Sequence, residues 1–345
     1  MVTLVNATSK SIGKEILRSI RKSLLKLGSA TKVELSDKLG ISFPTISKFL
    51  TQMEKDGELL SVGLDDSSGG RRAKRYTYNP EYMLGLAIFL ERTETNYIVF
   101  NCLGEVKDAG KTSSTLINDH LTSLTKFVEE IKKQFPKISS IAIGVPGSVD
   151  NGRIIYIPGY EHLQNFDLKG YLENRFSMPV VIENDMNAAV LGYQDTKGNK
   201  KNKSIVYLYS GQNGPGAGIM VNGAIVRGST NFSGEILFVP QYDDRNFGQA
   251  LKNENRTQKT IICEEYEIDA VSRLVASFAA IINPHTIIFC DDEVNQFIIE
   301  QIEKRSSKYI SAEHLPELIM SDWKEDYLFG LQSLGLELMM NGISI

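Results

Sequence analysis

Cysteine is scarce: Cys102, Cys263 and Cys290 stand far apart in 345 residues. An odd number at such spacing makes neither a disulfide framework nor a cysteine-based zinc site, and it suits a reducing cytoplasm. No run of 18 apolar residues occurs, so no stretch reads as a membrane-spanning helix. The opening Met-Val-Thr-Leu-Val-Asn lacks the basic head and apolar run of a secretory signal. The expectation is a cytoplasmic chain with no membrane partner. Long polar tracts are missing as well. With 42% hydrophobic and 23% charged residues the composition is that of a globular protein, and 345 residues are too many for one small domain.

The net charge of −4 conceals an asymmetry. Residues 1–80 hold 14 Lys and Arg against 8 Asp and Glu, a net of +6, while the remainder carries 24 against 34, a net of −10. A basic head on an acidic body points the head towards a polyanion.

Within that head, Ile16, Ile20, Leu24 and Leu27 recur at helical spacing from Ile12 to Leu27, and Gly28 ends the run. Thr31 is placed to cap Lys32–Leu39, and Gly40 closes it. Ser42 then caps a third helix with Pro44 in its first turn; it runs to Asp56 and buries Ile46, Phe49, Leu50 and Met53. Helix, short helix, tight turn, helix is the helix-turn-helix order, whose last helix enters the major groove. The outward face carries Thr45, Ser47, Lys48, Thr51 and Gln52, small or polar as groove contact requires. Leu59–Val62 and Arg75–Tyr78 read as two strands, and the loop 65–72 between them as a wing. Arg71 and Arg72 can reach phosphates or the minor groove from there. The candidate DNA contacts are therefore Ser42, Thr45, Ser47, Lys48, Arg71 and Arg72. A protein-interaction module is the blander reading; charge, helix order and wing together favour double-stranded DNA.

The rest of the chain is organised around Val180–Ala189. Val180, Val181 and Ile182 end a buried strand, Glu183, Asn184 and Asp185 follow at once, and Asn187 opens a helix. Polar side chains at a strand's carboxyl end sit where open α/β sheets bind small ligands. An amide beside a carboxylate can bracket a sugar, and Asp185 could take a proton from an attacking hydroxyl as a general base. Capping of the next helix by Asn184 or Asp185 is an equally good reading of this stretch alone.

Around it, Leu84–Leu90 and Thr95–Phe100 form a hairpin, and 118–135 and 269–282 read as helices. Ile138–Ile143 is a buried strand ending in Gly144-Val145-Pro146-Gly147, and Asp167 caps a helix to Phe176. Lys203–Tyr209 is a strand, followed by a glycine-rich turn from Gly214 and a hairpin at Asn222-Gly223. Thr286–Phe289 is another strand, and a helix closes the chain from Asp326 to Met340. No short-period repeat is visible; the two halves of this body share only a β-rich start and a later helix.

Four motifs carry a resemblance. The head, from Leu35-Ser36 through Pro44-Thr45-Ile46-Ser47 to Gly69-Gly70-Arg71-Arg72, is similar to that of ROK-family (repressor, open reading frame, kinase) regulators. Gly144–Gly147, Glu183–Ala189 and the run 214–236 resemble the same family's body. The resemblance implies an α/β protein: a winged helix-turn-helix at 1–80, then a two-lobed actin-like, ribonuclease H-like sugar-kinase body with lobes at 81–190 and 191–345. It implies Gly147, Asn184, Asp185 and Glu235 as sugar-binding residues, Asp185 matching the base of family kinases.

The sequence also departs from that pattern. Ala87 and Phe89 stand where kinases of this fold carry the Asp and first Gly of a phosphate loop, and Glu91 would repel the anion. Phe238 replaces a family histidine that bonds sugar and zinc, and residues 241–265 hold Cys263 alone, so no structural zinc is expected. Cys290-Asp291-Asp292 replaces a glycine pair beside the nucleotide. The expectation is a repressor of carbohydrate-metabolism genes, homodimeric or a dimer of dimers. Its body would sense a sugar or sugar phosphate without cofactor, metal or catalysis. The alternatives are a sugar kinase that also binds DNA, and a ligand-blind platform in which Phe238 fills part of the pocket; the Phe238 ring could equally stack on a sugar's apolar face and change which sugar fits.

Overall fold

The computed structural model describes residues 9–64, 73–116, 121–198, 203–210, 214–242, 244–251, 262 and 264–341. The chain opens with α1 (Ser9–Leu27), β1 (Ala30–Thr31), α2 (Lys32–Leu39), α3 (Phe43–Lys55), β2 (Leu59–Leu64) and β3 (Lys74–Tyr78). A capping box starts α2: Thr31 Oγ1 accepts from the Glu34 amide at 3.2 Å, and Glu34 returns a carboxylate to the Thr31 amide at 2.8 Å. Gly40 ends it at φ 63°, a left-handed conformation that glycine adopts without strain. Ser42 is the residue before α3, but its hydroxyl pairs with Thr45 Oγ1 at 2.9 Å instead of capping the helix. The three strands form one antiparallel sheet in the order β1-β3-β2. Beneath it lies a buried ion pair, with Arg21 Nε 2.5 Å from Glu58 Oε1 and the Tyr78 hydroxyl 2.9 Å from the same oxygen. The partners leave neither charge uncompensated in the core.

Two five-stranded sheets follow. The first contains β4 (Leu84–Leu90), β5 (Glu94–Asn101), β6 (Val106–Ser113), β7 (Ile138–Val145) and, beyond the small hairpin β8 (Ser148–Asp150) and β9 (Arg153–Tyr156), β10 (Val180–Asn184). The second contains β11 (Ile205–Tyr209), β12 (Gly216–Val221), β13 (Ala224–Ile225) and, beyond the small hairpin β14 (Pro240–Tyr242) and β15 (Arg245–Asn246), β16 (Thr286–Cys290) and β17 (Glu317–Ser321). The strand orders are β10-β7-β4-β5-β6 and β13-β12-β11-β16-β17. Each is an antiparallel meander of three strands extended by two parallel strands on the side of the first. The two halves thus share a complete topology, more than the β-rich start visible in the sequence. Side-chain patterns have diverged while backbone order has not.

The helices are α4 (Thr122–Gln134), α5 (Leu168–Phe176), α6 (Asp185–Thr196), α7 (Phe247–Ala250), α8 (Glu265–Ile281), α9 (Gln296–Ser306) and α10 (Trp323–Asn341). Leu124, Val128 and Leu172 of α4 and α5 join one apolar core with the first sheet, and Val271, Leu274, Ile298 and Ile302 of α8 and α9 join another with the second. Between the sheets run α6 and α10. The first leaves β10 to pack on β11 and β12, and the second leaves β17 to pack on β4 and β7. They cross where Gly192 faces the Asp326 carbonyl and Gly330 faces the Ala188 carbonyl; a Cβ on either glycine would overlap that oxygen. Further along, α10 meets α1, with Arg18 and Glu337 3.8 Å apart.

Candidate functional site

A cleft opens between the two sheets at the carboxyl ends of β7 and β10, where α/β folds place ligands. Asn184 ends β10 and caps α6, its Oδ1 accepting from the Asn187 amide at 2.9 Å. Capping and site-building are therefore combined. Its Nδ2 donates to the Gly147 carbonyl and to Asp185 Oδ1, both at 3.0 Å. These two bonds use both amide protons, so Asn184 shapes the pocket wall and leaves only acceptor capacity for a ligand. Gly147 is required by packing: a Cβ there would run into the Tyr156 carbonyl oxygen.

Asp185 stands in the first turn of α6, its Oδ1 also accepting from the Met186 amide at 2.8 Å. Burial pushes its carboxyl up to about 7 against that hydrogen bond, and the nearby charges of Glu235 and Glu91 add to the rise. Across the cleft Glu235 accepts from Ser148 Oγ at 2.8 Å, and burial raises its carboxyl too. Asp185 thus accepts on Oδ1 and Glu235 on Oε1. Gly147, Asn184, Asp185 and Glu235 thus line one pocket. The pocket adds Ser148, Arg227 and Ser233, which sequence reasoning passed over as ligand groups. Arg227 pairs with the buried Glu183, which also holds the Asn184 amide at 3.0 Å. A polar residue next to a known motif is the only sequence signal these three offered.

The inner end of the cleft is different. Phe89, Tyr209, Trp323 and Tyr327 are each no more than 3% exposed and meet there. Phe89 lies 4.1 Å from the Tyr327 ring and 5.4 Å from Trp323, and Trp323 lies 4.5 Å from Tyr209. Glu91 is buried beside them with Lys324 Nζ at 3.8 Å. On the opposite strand end, Glu293 caps the Ser210 amide with both oxygens, at 3.0 and 2.9 Å, and Asp292 lies 3.4 Å from Trp323 Nε1. Aromatic rings and carboxylates occupy this end of the space between the lobes.

Phe238 lies outside the pocket. It is 46% exposed and packs 5.3 Å from Phe232, so the alternative in which it fills part of the pocket does not hold. The short helical turn 236–238 carries it away from the lining. Among the described residues no group of three or more His, Cys, Asp or Glu is arranged to hold a metal; Cys263 and 252–261 lie outside them. Asp269 accepts from Tyr242 at 2.8 Å, Arg273 and Arg305 at 2.9 Å and Tyr309 at 2.5 Å. Against burial, these donors hold its carboxyl well below the usual range, and they tie β14 to α8 and α9.

In the head, Ser42, Thr45, Ser47 and Lys48 share the outward side of α3, opposite the buried Ile46, Leu50 and Met53. Lys32 of α2 reaches Ser47 Oγ at 3.0 Å and so joins that face. Phe43, 47% exposed in the first turn, joins it too; the sequence reading passed over both. Arg71 and Arg72 lie outside the described residues.

The body is a duplicated α/β fold with a polar pocket between its two sheets. Residues 86–244 match the ROK family. The xylose repressor of Bacillus spizizenii is 27% identical over 62% of this chain and 57% of its own length. The chain thus spans little more than half the length of that curated relative. Among solved structures, a ROK family transcriptional regulator, homolog of the Escherichia coli MLC protein, superposes with a TM-score of 0.64 at 18% identity, covering 94% of this chain and 99% of that one. A ROK family glucokinase from Streptomyces griseus in complex with glucose and AMPPNP gives 0.55 at 18% identity, covering 74% of this chain and 99% of that one. Named relatives are repressors, and fold neighbours include sugar kinases. No helix among the described residues is long and apolar enough to cross a membrane.

Proposed function

We propose that this chain is a DNA-binding transcriptional repressor of carbohydrate-metabolism genes, acting in the cytoplasm as a homodimer. Residues 1–80 are its winged helix-turn-helix head, and 81–190 and 191–345 the lobes of a body that senses a sugar. The observation that carries the reading is one cleft with two unlike ends, on a chain with a basic head. The outer end keeps Asp185, Glu235 and Ser148 around a hollow; the inner end is filled. The glucokinase leaves about a quarter of the chain unmatched, a share that the head accounts for in size, whereas the regulator covers 94% of it.

Phosphoryl transfer depends on positioning phosphates and neutralising their charge. Phe89, Trp323 and Tyr327 occupy the space, and Glu91, Asp292 and Glu293 supply charge of the wrong sign. The body therefore senses without phosphorylating, and Asp185 serves as a hydroxyl acceptor. The same electrostatics select the ligand. Among the described residues Arg227 is the single cation lining the pocket, and it already pairs with Glu183. A sugar phosphate would meet Asp185 and Glu235 without a cation of its own, so the effector is an unphosphorylated sugar.

The route to the head is short. A ligand that orders the start of α6 acts on α10 through the Gly192–Gly330 crossing, and α10 rests on α1. A coupling of ~1–3 kcal/mol would change operator affinity roughly 5–150-fold. Fluorescence anisotropy of the full chain on duplex DNA from upstream of its own reading frame tests this. Salt-dependent binding that shifts with D-xylose or D-glucose, but not with glucose 6-phosphate or MgATP, is expected. No DNA binding, or transfer of phosphate from ATP to a sugar, would overturn it.

A further inference from the structure

The two walls of the pocket come from different sheets. Gly147, Ser148, Asn184 and Asp185 follow or end strands of the first sheet, and Arg227, Ser233 and Glu235 follow β13 of the second. Two polar side-chain contacts cross between these walls. Ser148 Oγ donates to Glu235 Oε1 at 2.8 Å, and Arg227 pairs through Nη2 with Glu183 Oε2. The ion pair reaches further into the first wall. Glu183 is 5% exposed, and its other oxygen accepts from the Asn184 amide at 3.0 Å and from Asn187 Nδ2 at 3.2 Å. One carboxylate thus holds the end of β10, the first turn of α6 and the second wall. Arg227 is equally fixed on its own side. Its carbonyl accepts from the Ser233 amide at 3.2 Å, which closes the loop 227–233 at its neck, and the Ala217 amide donates to the Gly234 carbonyl at 2.8 Å.

A buried carboxylate needs a partner, and any nearby cation would meet that need. The place of this cation adds something more. Arg227 lines the pocket and begins the loop that leads to Glu235, while Glu183 stands two residues before Asp185. A sugar that bridges Asp185 and Glu235 binds best when the two carboxylates already stand at the right separation, because ordering them on binding costs affinity. The Ser148 contact uses Glu235, a group that the sugar itself engages, whereas Glu183 lies outside the lining. We propose that Arg227 is a positioning residue for the effector: its ion pair with Glu183 ties the two walls and presets the separation of Asp185 and Glu235. This rests on the sugar reading of the pocket.

The test is calorimetry and thermal melting of the full chain, as the parent, Arg227→Met and Arg227→Met/Glu183→Gln, with a panel of free aldoses that includes D-xylose and D-glucose. Arg227→Met is expected to lower the melting temperature and to weaken sugar binding roughly 10-fold, the scale of coupling within one hydrogen-bonded network. Adding Glu183→Gln removes the uncompensated charge and keeps an acceptor for Asn184 and Asn187. The double variant is expected to regain the parent's melting temperature while its sugar affinity stays weak. Should the single variant not fold, the double variant still carries the test. Recovery of affinity together with stability would overturn the proposal, since Arg227 would then only compensate a buried charge. So would parent-like affinity in Arg227→Met. Failure of every sugar to bind the parent would overturn the pocket reading together with the positioning role.

Discussion

At the outer end of the interlobe cleft, Asn184 and Gly147 hold a wall in place while Asp185 and Glu235 line the hollow. At the inner end, Phe89, Tyr209, Trp323 and Tyr327 have closed on one another. Both ends are framed by equivalent places in the fold, the carboxyl ends of parallel strands that α6 and α10 leave behind. The difference teaches that a fold supplies positions and that side chains decide whether a position is a site. Small and polar residues at strand ends leave a hollow; large aromatic ones turn the same place into core, and the lobes are joined there.

The sharpest way to break this contrast is to reopen the inner end. Phe89→Ala removes a ring that is 1% exposed, and is expected to cost about 3–5 kcal/mol in chemical denaturation. The cavity should still refuse MgATP, because Glu91, Asp292 and Glu293 remain. Nucleotide binding by this variant would mean that bulk alone closed the site.

Asp185→Asn acts on the outer end and gives an opposite sign. The buried Asp185 carboxyl titrates at about 7, whereas an unfolded aspartate titrates near ~3.9. Between those values the folded chain keeps a proton that the unfolded chain sheds. Stability from this group is therefore full below about pH 4 and lost as pH rises towards 7, by up to ~4 kcal/mol. Asparagine keeps the acceptor for the Met186 amide and cannot ionise. Melts across pH 4.5–8 should show the variant matching the parent in acid and exceeding it by several degrees at pH 8, with sugar binding abolished. A variant less stable at pH 8 would remove the buried-charge account of Asp185.

Smaller effects sharpen the contrast between body and head. Lys48→Ala should weaken DNA binding and reduce the slope of log affinity against log salt by roughly 1, leaving sugar binding unchanged, in anisotropy titrations at several salt concentrations. Glu337→Ala removes an exposed partner of Arg18 between α10 and α1. It should change stability by less than ~0.5 kcal/mol, yet reduce the effect of sugar on DNA affinity. An unchanged sugar effect would move the coupling path away from that contact.

Much of this was legible before any coordinates. Local rules carried the head: Thr31, Gly40 and Pro44 mark helix ends by chemistry that acts within four residues. Asn184 and Asp185 were found because strand, polar pair and helix follow one another without a break. What the sequence hid depends on distant partners. Phe89, Tyr209, Trp323 and Tyr327 are scattered over most of the body, so each reads as ordinary apolar spacing until the sheets bring them together. The doubled strand order was invisible because hydrogen-bonded order needs no side-chain identity. Where Phe238 lies was open in the sequence for the same reason: its contact with Phe232, outside the pocket lining, follows from packing that no spacing marks. Helix α9 and strand β17 were missed outright, since Ile298, Ile299 and Ile302 give too few apolar positions to mark a period.

The measurement that bears most directly on the two-ended cleft is calorimetric titration of the full chain with a panel of free sugars and, separately, with MgATP. The account predicts saturable heat from a sugar, its loss in Asp185→Asn, and no heat from MgATP at millimolar concentration. Saturable MgATP binding, or sugar binding that survives Asp185→Asn, would contradict it.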